Sequence, residues 1–155
     1  MGSRKIAIGV LAAAAAAAMV TPAAAEVRDA VYRGTLVCNK LPFTEFKMRE
    51  AIDVTISGGT VRYTHVVRLR ETAEPAMEQG AGKVDGARIS LQGSWKGDAG
   101  QYHAGYQGSF VRRSAKLIGT QTWTHNGRII TRACSGVIKR PLRVFLPRDK
   151  KPASP

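Results

Sequence analysis

Few residues in this chain carry distinctive chemistry. There are two cysteines, three histidines and eleven acids, and aromatics make up 6% of the 155 residues. Two thiols without a second Cys or His cluster cannot assemble a typical structural zinc site, which takes four ligands. The histidines, His65, His103 and His125, are not paired at ligand spacing, so neither a metal nor a cofactor is expected. Serines are present, but acids are sparse in the C-terminal third and no elbow-like glycine motif surrounds a serine. A nucleophile with its base and orienting acid is therefore not legible. After the first 25 residues no run is long or apolar enough to span a membrane, and no segment shows a helical stripe. The composition, 44% hydrophobic and 23% charged, excludes a disordered chain, and the length fits one domain.

What is present begins with targeting. Arg4 and Lys5 precede an uncharged, alanine-rich run from Ile6 to Val20, and Pro22 precedes Ala23-Ala24-Ala25. That is the layout of a secretory signal peptide with a small-residue cleavage site. Residues 1–25 are read as the leader, Glu26 as the mature start, and the periplasm as the destination. Export agrees with the cysteines: in an oxidising compartment Cys38 and Cys134 are most simply one disulfide. They stand near opposite ends of the mature chain. A loop that long is worth up to about 4.7 kcal/mol in the chain-entropy model.

Between the cysteines the pattern has period two. Met48, Ile52, Val54 and Ile56 alternate with Asp53, Thr55 and Ser57, with Glu50 the one polar residue on the apolar parity. Gly58-Gly59 follows as a hairpin turn. Val61, Tyr63, His65, Val67 and Leu69 share the next face. Ala87 to Lys96, Tyr102 to Phe110 and Leu117 to Trp123 repeat the alternation. Asn126-Gly127 marks a hairpin into Arg128 to Ile138, and Ala30 to Cys38 supplies a first strand. Glu71 to Gln79, which carries Pro75, reads as a loop with at most one helical turn. The tally is about eight strands with short turns, so the fold is expected to be all-β over residues 26–140. A basic, proline-punctuated tail follows over 141–155, packing briefly through Leu142, Val144, Phe145 and Leu146. An antiparallel up-and-down barrel is favoured and a β-sandwich is the alternative, because sequential hairpins yield a meander and closure removes exposed edges. Closure also brings the first and last strands, and hence the cysteines, together. Gly34, Gly93, Gly108 and Gly119 recur on the inner parity. They are read either as places where a strand bends beside a large neighbour or as the trace of a repeated hairpin.

In size and architecture the chain resembles the avidin and lipocalin class of small exported barrels, and more generally small exported bacterial β-barrel proteins. None of the ligand motifs of the avidin and lipocalin families stands at a matching position, so the resemblance implies architecture only. Ser57-Gly58, Tyr63 and Trp95-Lys96-Gly97-Asp98-Ala99 resemble the serine-glycine and lysine-glycine loop signatures of periplasmic lysozyme inhibitors. The spacing differs, however, and a basic chain does not complement the basic enzyme such inhibitors meet.

Two candidate sites emerge. With Cys38 and Cys134 inward, strand parity also points Tyr32, Leu36, Ile130, Arg132 and Ile138 inward. The polar or amphipathic lumen set is then Tyr63, His65, Trp95, Tyr102, Tyr106, Gln121, Trp123 and Arg132. These residues would either line a pocket for a small ligand or satisfy one another in a packed core. The second site is electrostatic. The net charge is +13, and its distribution is uneven: residues 26–111 hold eleven Lys and Arg against ten acids, whereas residues 112–155 hold eleven against one. The exposed candidates are Arg112, Arg113, Lys116, Arg128, Lys139, Arg140, Arg143, Arg148, Lys150 and Lys151. Such asymmetry points to an anionic partner. Export argues against nucleic acid and leaves lipid surfaces and acidic envelope polymers.

The expected function is thus a non-enzymatic exported protein that binds an anionic envelope component or a small ligand. An interaction module or inhibitor for another exported protein comes second, and a small hydrolase third. The secreted protein should have the intact mass of a chain starting at Glu26 and should show no free thiol until reductant is added. Two free thiols in native material would contradict the reading.

Overall fold

The computed structural model describes residues 27–44, 46–68, 76–98 and 100–142. The leader, Leu69, Ala99 and the tail beyond Leu142, with Arg143, Arg148, Lys150 and Lys151, lie outside the described residues. Eight strands follow in chain order: β1 (Ala30–Cys38), β2 (Met48–Ser57), β3 (Thr60–Val67), β4 (Ala76–Asp85), β5 (Arg88–Gly97), β6 (Gly100–Val111), β7 (Ser114–His125) and β8 (Arg128–Lys139). Each pairs antiparallel with the next, and β8 returns to β1, giving a closed up-and-down barrel. The barrel expectation therefore holds over the sandwich alternative.

The alternation follows from the pleat, which sends successive side chains to opposite faces. Val54, Val61 and Leu117 have no accessible surface, while Thr55, Arg62 and Lys116 on the other parity are exposed. Hairpin chemistry sets the register. Asn126 and Gly127 both have positive φ (49° and 71°), as a two-residue turn matched to strand twist requires. At the seam, Arg33 to Cys38 pair with Lys139 to Cys134, and Cys38 faces Cys134 directly in a disulfide with Cα atoms 4.0 Å apart. The staple thus locks the one pairing that joins the two ends of the meander.

One segment departs from expectation. Ala76 to Gln79 is not loop or helix but the first half of β4, and Glu71 to Pro75 lie outside the described residues. The inward set of β4 is Ala76, Glu78, Gly80, Gly82 and Val84. A carboxylate and two glycines there erase the apolar alternation that marks the other strands. The glycines serve close approach. A Cβ at Gly34 would strike the Val137 carbonyl, and one at Gly108 would strike the Lys116 carbonyl. Gly80 and Gly93, paired across β4 and β5, instead leave room for the Tyr63 ring.

Parity makes a sharp test. Val54→Asp should cost at least about 4 kcal/mol, by burying an unpaired carboxylate. Thr55→Asp should stay within about 1 kcal/mol of wild type. Urea unfolding of the two variants measures both, and equal damage would mean that the inward face is misassigned.

Candidate functional site

The lumen candidates converge on a residue absent from the sequence-derived set, Glu78. His65 of β3 lies directly opposite it, and the His65 Nδ1 is 2.9 Å from Glu78 Oε2. Tyr102 donates its hydroxyl to the same oxygen at 2.6 Å and Tyr106 at 3.2 Å, while Tyr63 donates a short bond to Oε1. A Cβ at Gly93 would overlap the Tyr63 hydroxyl and lie 2.8 Å from Glu78 Oε1, so only glycine fits beside this bond. Gln121 carries the network across the lumen. Its Nε2 donates to the Tyr106 hydroxyl at 2.8 Å, and its Oε1 accepts from Arg132 Nε at 2.8 Å. The Arg132 guanidinium also stands 5.2 Å from the Trp123 ring centre. A buried anion and a buried cation are therefore linked through one amide and one phenol, with every donor oriented towards the carboxylate.

Physical cost explains the geometry. An unpaired buried carboxylate is prohibitively unfavourable, so it must be paired and hydrogen-bonded or neutralised. Burial by itself raises the Glu78 pKa; the bonds from His65, Tyr102 and Tyr63 outweigh it and hold the carboxyl below its ordinary value. Burial first, then the Glu78 charge, pushes the hydroxyls of Tyr63, Tyr102 and Tyr106 far above the usual phenol range, so they remain donors. Burial lowers Arg132 to about 10, which leaves it charged at neutral pH. His65 Nε2, on the far side of its ring, is buried with no hydrogen-bond partner among the described residues.

The lumen is closed as well as crowded. His65, Glu78, Gln121 and Trp123 are 0% exposed, which leaves no water-sized space beside them. The loop after β1 covers the mouth. Leu41 is buried, Phe43 stacks on His125 with ring centres 4.1 Å apart, and Thr44 braces the turn through Leu41 N–H at 2.8 Å. Trp95, half-buried at this end, stacks on Tyr102. All eight predicted lumen residues thus lie in one cluster. Glu78 is not legible in the sequence because its strand carries no apolar alternation, and neither is the capping loop, whose apolar residues have no period.

The basic candidates divide. In a meander consecutive turns fall at alternate ends, so Arg128, in the β7–β8 hairpin, stands at the opposite end from Arg112 and Arg113 in the β6–β7 turn. Lys116, Lys139 and Arg140 join the latter group. A surface hollow there is lined by Val111, Arg112, Arg113, Ser114, Lys139, Arg140 and Leu142, with no acid. Arg113 holds the chain exit, donating Nη2 to the carbonyls of Arg140 (3.2 Å) and Pro141 (2.7 Å). Arg112 is exposed and has φ +56°, a left-handed backbone that costs an L-residue about 1–2 kcal/mol. At the same barrel end the two-residue β4–β5 turn fills the equivalent slot with Gly86, at φ +55°. Val111 and Leu142 project beside these cations, 69% and 75% exposed.

No protein-family model matches the chain, and no curated protein or solved structure is significantly similar to it. Among the described residues no helix is long and apolar enough to cross a membrane, and no cluster of His, Cys, Asp and Glu could hold a metal.

A carboxyl whose pKa is lowered on folding adds stability above its unfolded pKa and loses it as pH falls through the folded value. Wild-type stability should therefore fall through the acid range. Glu78→Gln should cost about 2–4 kcal/mol at neutral pH and flatten that fall. Urea unfolding across a pH series measures both, and parallel profiles for the two proteins would remove Glu78 from this role.

Proposed function

We propose that this is an exported, non-enzymatic protein that docks on anionic envelope surfaces through the end of the barrel bearing the β6–β7 turn. The carrying observation is Arg112, kept in a backbone conformation that favours glycine, where it projects with Val111 and Leu142 beside Lys139 and Arg140. Cations around exposed apolar side chains suit a bilayer interface. The apolar groups enter the headgroup boundary, and each Lys or Arg near an anionic surface adds about 1 kcal/mol. The tail continues the composition with Arg143, Arg148, Lys150 and Lys151. The disulfide and the leader-like first 25 residues support export. A filled lumen, with its carboxylate saturated by donors, favours surface binding over capture of a small ligand and over hydrolysis.

Co-sedimentation with anionic and neutral vesicles across a salt series tests the reading. Binding should require anionic lipid and weaken as salt screens charges beyond about 8 Å. Arg112→Gly should weaken binding roughly fivefold, the loss of one near-surface cation. The same change should raise folding stability by up to about 1 kcal/mol, because the strain is relieved. Equal binding to neutral vesicles, or an Arg112→Gly variant that binds like wild type, would refute it.

A further inference from the structure

The closure seam of the barrel presents like charges to one another on its outer wall. Arg33 of β1 lies directly opposite Lys139 of β8. Lys116 of β7 is diagonal to Lys139, since its own partner is Val137. Opposite and diagonal positions on a sheet bring Cβ atoms to roughly 5 Å and 7–8 Å, and like charges directly opposite destabilise the pairing. All three residues are exposed. Asp53 offsets Arg33 at 3.7 Å, but it sits on β2, on the side of Arg33 away from Lys139. Arg49 enters two rows from Arg33, beyond the row of Thr35, Val137 and Lys116, where Val37 pairs with both Arg49 and Ser135.

These four cations surround a hollow of about 460 Å³ that also exposes the hydroxyl-bearing residues Thr35 and Ser135, and no Asp or Glu lines it. The space exceeds that of a single water, about 30 Å³. Two guanidinium groups offer forked donors that match phosphate oxygens, and two ammonium groups add compact charge.

We propose that this seam hollow binds a phosphomonoester dianion, the group carried by phosphorylated lipid headgroups and by soluble phosphate esters. A monoester presents two charges and three terminal oxygens, enough to engage cations on β1, β7 and β8 together. A phosphodiester, with one charge and two free oxygens, engages fewer. Binding also converts the Arg33–Lys139 repulsion into shared attraction. The inference rests on the reading of this basic surface as an anion binder and names its ligand class, but it does not require a bilayer.

The test uses the full mature protein. Inorganic phosphate is titrated while backbone amide resonances are followed, and vesicles containing phosphatidic acid are compared with phosphatidylglycerol vesicles matched in net charge. The expected result is saturable shifts confined to the seam around Gly34, Thr35 and Gly136. Lys139→Ala should weaken phosphate binding roughly fivefold to tenfold, while Lys96→Ala on β5, across the barrel from the seam, should leave it unchanged. In phosphate-free, low-salt buffer Lys139→Ala should be at least as stable as wild type, because repulsion is removed. Tighter binding to the monoester vesicles identifies a lipid headgroup as the source, whereas seam shifts with free phosphate but no vesicle preference identify a soluble ester. Absence of localised phosphate shifts together with equal binding to the matched vesicles would overturn the site. In that outcome, salt-sensitive binding to anionic vesicles would still uphold the broader surface reading, and its loss would end both.

Discussion

A carboxylate without accessible surface governs the interior of this barrel. Removing Glu78 from water costs several kcal/mol unless its oxygens are met by donors, and almost every unusual feature of the lumen supplies one or makes room for one. Tyr63 reaches it because Gly80 and Gly93 lack side chains, and Tyr102 and His65 reach it by register. Gln121 is held in the orientation that passes hydrogen bonds from Arg132 towards Tyr106 and so to the carboxylate. Arg132 then draws in the chain after β1, through the carbonyl of Asn39 and the sulfur of Met48. The mouth is closed by the same network that satisfies the centre.

That arrangement bears directly on function. Side chains that would suit a pocket are committed to one another, and the remaining charged residues lie on the outer wall. There the two ends of the barrel differ in what they combine. The end with the Arg112 turn combines cations, projecting Val111 and Leu142, and a hollow without acids, while the opposite end is capped by Leu41, Phe43 and His125. Arg113, a basic residue by type, is engaged in fastening the exit of β8, so charge count alone overstates the surface available to a partner.

Legibility in the sequence followed burial contrast. Seven strands alternate apolar with polar residues and were readable, down to the lumen parity of Tyr63, His65, Tyr102, Tyr106, Gln121, Trp123 and Arg132. The eighth, β4, was not, because its inward positions carry Ala76, Glu78, Gly80, Gly82 and Val84. Those residues are small or charged to suit the ring of Tyr63 on β3 and the hydroxyls of Tyr102 and Tyr106 on β6. No local pattern encodes that fit. The first half of β4 consequently read as loop, and the residue at the centre of the site went with it.

The amino-acid sequence by itself determined the period of seven strands, the hairpin turns marked by glycine, the side of those seven strands facing inward and the excess of cations in the last third. These depend on pleat, turn sterics and composition, which act over a few residues. Only the tertiary structure decided that Glu78 meets donors from β3, β6 and β7, and that Arg128 stands at the opposite end from Arg112. The same holds for the placing of Arg33, Lys139 and Lys116 around one hollow. Those relations depend on register and closure. A shift of one residue in any ladder reverses which face a side chain occupies, and the outcome is set by all eight pairings at once.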